Sequence, residues 1–67
     1  MENASLALEI MADNKGETSD VAAEMIDAFG WFAATVAADA GQQTDDADWA
    51  EVQAIIEEVE RMSARAR

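Results

Sequence analysis

The carboxylates of Asp and Glu are the main candidates in this sequence for catalysis or charge-based binding. The 67 residues include 15 Asp and Glu but neither His nor Cys. This composition excludes histidine general bases, thiol nucleophiles, thiolate zinc sites and the Glu-x-x-His sites of di-iron bundles. Two carboxylates can act as general acid and base when a cleft desolvates one of them. A chain this short has no room for such a cleft, so we expect a protein that is not an enzyme and needs no cofactor.

An EF-hand calcium loop is the metal site that the sequence matches best. Asp46, Asp48 and Glu57 stand at three positions that such a loop uses for ligands. However, Glu51 takes the place of the glycine that makes the turn, and Ala50 occupies a further ligand position. We therefore expect no specific metal site.

Two groups of acidic residues have a spacing that suits a charged surface. At about 100° per residue, Asp20, Glu24 and Asp27 share one side of a helix, and we call these three residues the acidic lane. Trp31 follows on the same line, one turn later. A second group, which we call the acidic cluster, consists of Asp45, Asp46, Asp48 and Glu51.

These rows of carboxylates can imitate a nucleic acid. DNA carries a negative charge about every 3.4 Å along each strand, and carboxylates three or four residues apart on a helix lie about 5 to 6 Å apart. Two acidic rows can therefore occupy a cationic groove that is built for phosphates. Trp31 would add an apolar anchor of the kind that dominates interface energetics. The alternative is that Trp31 packs under a neighbouring helix or a second copy of the chain, and that the acids are simply a solvated face.

Three helices are predicted to position these residues. A short helix over residues 3–14 carries Leu6, Ala7, Ile10 and Met11. A long helix over residues 18–41 has an apolar stripe, with Thr18 or Ser19 as its cap and Gly41 as its stop; the stripe consists of Ala22, Met25, Phe29, Phe32 and Val36. A third helix over residues 46–64, capped by Thr44 or Asp45, has its own stripe of Trp49, Val52, Ile56 and Val59.

No segment alternates polar and apolar residues, so no strand is predicted. The predicted fold is all-α, a single-domain three-helix bundle over residues 1–67 in which the short first helix packs on an antiparallel pair of longer helices.

The net charge restricts the partners that this protein can have. Residues 1–60 hold all 15 acids and one base, Lys15, and the last seven residues add three arginines, so the total is 1 − 15 + 3 = −11. Such a charge disfavours direct binding to nucleic acid or to an anionic membrane and favours a basic partner. The start Met-Glu-Asn-Ala lacks the basic head of a secretory signal, and no apolar run is long enough to span a bilayer. We expect a cytoplasmic protein.

In size, acidity, helical content and lack of enzymatic residues, the chain resembles the small acidic anti-CRISPR proteins of phages and mobile elements that act as DNA mimics. The resemblance covers the whole chain but includes no diagnostic motif. It implies inhibition of a type I CRISPR surveillance complex in the host cytoplasm. The acidic rows would then engage Lys and Arg residues that normally meet target DNA near the PAM.

Two other interpretations remain open at this stage. In the first, the chain is a small structural or regulatory helical module, for example a homodimer, and its acids keep it soluble. Its partner would then contact Trp31, Ala34 and Ala38 and not the carboxylates. Alternatively, one lysine against 15 acids is typical of adaptation to high salt.

Overall fold

The fold is all-α, as predicted, with three helical segments packed on one another, but the predicted long helix over residues 18–41 is not continuous. The computed structural model describes residues 2–65, with the side chains of residues 3–65, and no strand occurs in that part of the chain. Helix α1 spans Glu2–Asp13, the central helical segment Thr18–Gln43 is divided into α2 (Thr18–Phe29) and α3 (Ala33–Gln43), and α4 spans Asp48–Arg65. Helix α1 packs on α2 and α3, and both of these pack on α4.

A 3-10 turn over Gly30–Phe32 interrupts the central segment. Helix α2 ends at Phe29, because the next residue, Gly30, has the non-helical angles φ 62° and ψ −131°. Two contacts show that α2 runs in the same direction as α4. Thr18, at the start of α2, bonds to Glu51 near the start of α4, and Ile26, near the end of α2, lines a groove with Val59 farther along α4. Helix α3 runs the other way, since Gly41 lies against Trp49. The chain therefore doubles back at Gly30, so that α3 alone, and not the whole predicted helix over residues 18–41, runs antiparallel to α4.

Replacing Gly30 with alanine should destabilise the bundle by about 1–3 kcal/mol. The dihedral angles of Gly30 are favourable for glycine but strained for any L-residue. An added Cβ would meet nothing within 4 Å, so the expected loss comes from backbone strain and not from a steric clash. Urea unfolding measures the loss. A chain synthesised with D-alanine at position 30 is the control, because these angles are favourable for a D-residue. Equal losses for L- and D-alanine would contradict backbone strain as the cause.

The predicted apolar stripes form most of the core. In the central segment Ala22, Met25, Phe29 and Val36 are buried, whereas Phe32 is only half-buried. In α4 the buried members are Trp49, Val52 and Ile56. Val59 is 39% exposed and Met62 60% exposed, so the apolar face of α4 extends beyond the part that α2 and α3 cover.

Helix α1 ends in a Schellman motif. The amide of Gly16 donates to the carbonyl of Met11 at 3.2 Å, and that of Lys15 donates to Ala12 at 3.1 Å. Lys15 takes the left-handed position of this motif with φ 54°, and Gly16 follows with φ 80°. A lysine thus occupies a conformation that glycine adopts more readily.

Replacing Lys15 with glycine should stabilise the chain by about 0.5–1 kcal/mol, because the left-handed conformation costs an L-residue about 1–2 kcal/mol. The midpoint of urea unfolding measures the gain. Lys15→Ala removes the same charge but retains a Cβ, and we expect no gain from it. A similar gain for alanine and glycine would show that charge, rather than backbone conformation, is responsible.

Two predicted helix signals are wrong. Gly41 is not a stop, because α3 continues to Gln43; a Cβ at position 41 would lie 3.1 Å from the Cβ of Trp49, so this glycine permits close packing of α3 on α4. Neither Thr18 nor Ser19 caps α2: Glu17 holds the cap position without a side-chain bond, and the Thr18 hydroxyl donates to Glu51 instead.

The start of α4 also differs from the prediction. It is Asp46, rather than Thr44 or Asp45, whose carboxylate accepts a hydrogen bond from the amide of Asp48, at 2.9 Å. The hydroxyl of Thr44 instead donates to the carbonyl of Ala40 at 3.2 Å, at the end of α3.

Candidate partner-binding surface

The acidic lane lies on an uninterrupted stretch of α2. Asp20, Glu24 and Asp27 are all exposed, and the seven residue steps from the first to the last correspond to about 10 Å of helix. Glu24 accepts a hydrogen bond at 3.1 Å from the side-chain amide of Asn14, which also donates to the carbonyl of Ile10 at 2.9 Å. The end of α1 therefore helps to orient the middle carboxylate of the lane.

The acidic cluster adjoins the start of the lane. All four of its residues are exposed, in the connection before α4 and in the first turn of that helix. Glu51 accepts the bond from Thr18, two residues before Asp20, and Asp48 lies beside Gly16. Because α2 and α4 run in the same direction, their amino-terminal ends lie together and their dipoles favour these carboxylates. We call the lane and the cluster together the acidic surface.

The acidic surface has little internal neutralisation. Among residues 3–65 the one salt bridge joins Glu58 to Arg61, far along α4 from the cluster. The hydrogen bonds to Glu24 and Glu51 come from neutral groups, Asn14 and Thr18. Within residues 3–65, no Lys or Arg therefore forms a salt bridge with a carboxylate of this surface.

Trp31 is exposed as predicted, but it is not in line with the lane. Its side chain is 85% exposed and lies in the 3-10 turn, after the α-helical register has ended at Gly30. Its ring packs in a T-shaped arrangement with that of Phe32, at a centroid distance of 5.3 Å. Trp31 therefore marks the end of α2 opposite to the cluster.

A shallow groove beside Trp31 was not predicted. It has a volume of about 380 Å³ and lies between the end of α2 and the last turns of α4, where Ile26, Val59, Glu60 and Ala64 line it. The one sequence signal for it is the apolar stripe of α4, which continues through Val59 and Met62 beyond the reach of the shorter α2. A second groove, of about 300 Å³, lies between α3 and α4 beside Gly41 and Trp49.

The acidic residues form no metal-binding cluster in the described part of the chain, whereas the central segment is strongly apolar. No group of three or more Asp, Glu, His or Cys that could hold a metal ion occurs within residues 3–65. Contrary to the expectation from the sequence, the segment Thr18–Gln43 is long and apolar enough to cross a membrane by length and composition, with a mean hydropathy of 1.3 in its most apolar stretch. The core helix of a soluble protein also meets that criterion, and 39% of this stretch is buried in the bundle. The cytoplasmic location therefore stays a prediction.

Comparison with known proteins identifies no relative: no family model matches the chain, and no similar curated protein or solved structure was found.

Proposed function

We propose that this protein is an acidic helical inhibitor that occupies the cationic nucleic-acid-binding site of a protein complex as a DNA mimic. The observation that carries the proposal is the joining of two acidic rows at one end of the bundle, where Thr18 bonds to Glu51. The seven carboxylates of the lane and the cluster are all exposed, and they lie on or just before two helices whose amino-terminal ends meet there. A groove lined with Lys and Arg is the complement that such a surface fits.

The most specific form of the proposal follows from the resemblance to DNA-mimicking anti-CRISPR proteins. In this form the partner is a subunit of a type I CRISPR surveillance complex, and the protein blocks recognition of target DNA or its PAM. The acidic surface would replace the phosphates that the complex contacts. The protein would act in the cytoplasm of the host cell, without binding nucleic acid or membrane and without a cofactor or enzymatic activity.

A pull-down at two salt concentrations tests the proposal. Tagged protein is incubated with a lysate of cells that contain a type I system at about 0.1 M salt, where exposed charges act over about 10 Å, and again at about 0.5 M. We expect recovery of a nucleic-acid-binding complex at low salt, and its release by high salt or by added duplex DNA. A partner that is retained at both salt concentrations and in the presence of DNA would contradict the proposal.

The exposed apolar side chains of Trp31 and Met62 favour a second candidate function, a helical interaction module or homodimer whose acidity serves solubility. That function predicts binding that salt does not weaken and that depends on Trp31 rather than on the lane. Salt adaptation is compatible with either function, and it predicts a chain that folds poorly in dilute buffer and is stabilised by molar salt.

A further inference from the structure

The groove beside Trp31 combines three kinds of surface. Ile26 and Val59 provide apolar walls, the exposed ring of Trp31 provides an aromatic face, and Glu60 provides a carboxylate. The groove lies at the opposite end of α2 from the acidic cluster. It is therefore separate from the acidic cluster, whereas the acidic lane ends at Asp27, the residue after Ile26.

Glu60 has an oxygen that lacks a partner. Its Oε2 is shielded from solvent and has no hydrogen-bond partner within the described residues. A buried acceptor without a donor is costly, and in native proteins a protein group, a water or an ion normally satisfies it. Arg61, the next residue, is bonded to Glu58 instead. Because Oε2 is shielded, a donor from outside would have to reach Glu60 through its other carboxylate oxygen, and no Lys or Arg of the described residues forms a salt bridge with this side chain.

We infer that the Trp31–Glu60 groove binds an arginine side chain of a basic protein partner. A guanidinium is planar and stacks on an indole ring while it donates to a carboxylate. The aliphatic stem of the same side chain packs on apolar surface such as that of Ile26 and Val59. Arginine therefore matches all three surfaces of the groove, and its charge complements a chain with net charge −11.

A second copy of this chain fits the groove less well. Each copy carries a charge of −11, so a dimer would bring −11 − 11 = −22 together. Self-repulsion on this scale opposes association. The inference rests on the proposed function in one respect, namely that the partner is a basic protein. What it adds is that this partner inserts an arginine side chain into the groove.

Titration of the 15N-labelled protein with a blocked peptide of alternating glycine and arginine tests the inference at about 0.15 M salt. We expect the indole N–H resonance of exposed Trp31 to shift, and that of buried Trp49 to stay in place. Glu60→Gln and Trp31→Ala should each weaken peptide binding roughly tenfold. Glu9→Gln, which removes an equal charge from an exposed position on α1, should change it less than about twofold.

Several outcomes would overturn the inference. These are an unmoved Trp31 resonance, equal effects of Glu60→Gln and Glu9→Gln, or sedimentation showing a dimer that Trp31→Ala converts to a monomer. A glycine–lysine peptide that binds as tightly as the arginine peptide would also overturn it. The assay contains no nucleic-acid-binding protein, so its failure leaves the proposed function standing, and a failure of that function in the pull-down leaves this result intact.

Discussion

Replacing Trp49 with alanine should leave the protein largely unfolded in dilute buffer at 25 °C. Trp49 is 2% exposed and lies against Gly41 where α3 crosses α4. Truncation of a buried tryptophan costs about 3–5 kcal/mol. A domain of 67 residues has about 3–10 kcal/mol of stability, from about 0.05–0.15 kcal/mol per residue. Circular dichroism should show the loss of most helical signal in Trp49→Ala.

The chain contains a matched control for this substitution. Trp31 is the other tryptophan and is 85% exposed, so Trp31→Ala should retain the full helical signal and change the free energy of unfolding by less than about 1 kcal/mol. A Trp49→Ala variant whose free energy of unfolding falls by less than about 1 kcal/mol would contradict the packing of Trp49 between α3 and α4.

Reversing the charges of the acidic lane should remove binding to the partner complex without unfolding the protein. The three residues are exposed and bury no apolar surface, so Asp20→Lys, Glu24→Lys and Asp27→Lys together should leave the helical signal intact. Like charges facing each other across an interface cost several kcal/mol, so we expect at least about a 100-fold loss of affinity. Calorimetry with the purified complex measures the loss.

A second triple variant distinguishes the effect of where the charge is changed from the effect of the net charge. Glu9, Asp13 and Asp39 are also exposed but lie outside the lane, on α1 and α3. Reversing either set changes the net charge from −11 by +6 to −5. Loss of binding only for the lane variant supports a specific surface. Equal losses for the two variants would show that net charge alone drives the association, and retained binding by the lane variant would contradict the assignment of the lane.

Hydrophobic periodicity was sufficient to predict the fold class and most of the core. The steps of three and four residues that connect Ala22, Met25 and Phe29 place them on one face of α2, and each of them is buried. The same rule identified Trp49, Val52 and Ile56 in α4. These predictions succeed because a helix must bury one apolar stripe whatever it packs against.

The reversal at Gly30 could not be predicted in this way. A single glycine inside a helix costs only about 1 kcal/mol relative to alanine, so local preference does not decide between a straight helix and a turn. Tertiary packing favours the turn, because the reversal at Gly30 lets both α2 and α3 pack on α4. Gly41 shows the converse error: its residue type suggested a stop, whereas its role is contact with Trp49.

Only part of the candidate site was predictable. Exposure of the lane and the cluster followed from their charge, and their spacing on one helix followed from periodicity. That the lane and the cluster adjoin depends on the parallel course of α2 and α4, which the reversal at Gly30 creates. The same reversal moves Trp31 out of line with the lane and places it beside Glu60.

The most direct test of nucleic-acid mimicry is a competition experiment. A type I surveillance complex is loaded with a fluorescent PAM-containing duplex, and this protein is titrated in at about 0.1 M salt. The proposal predicts that the protein displaces the duplex and that the midpoint of displacement rises in proportion to the duplex concentration. A ternary complex that holds both the duplex and this protein, or a midpoint independent of duplex concentration, would contradict it.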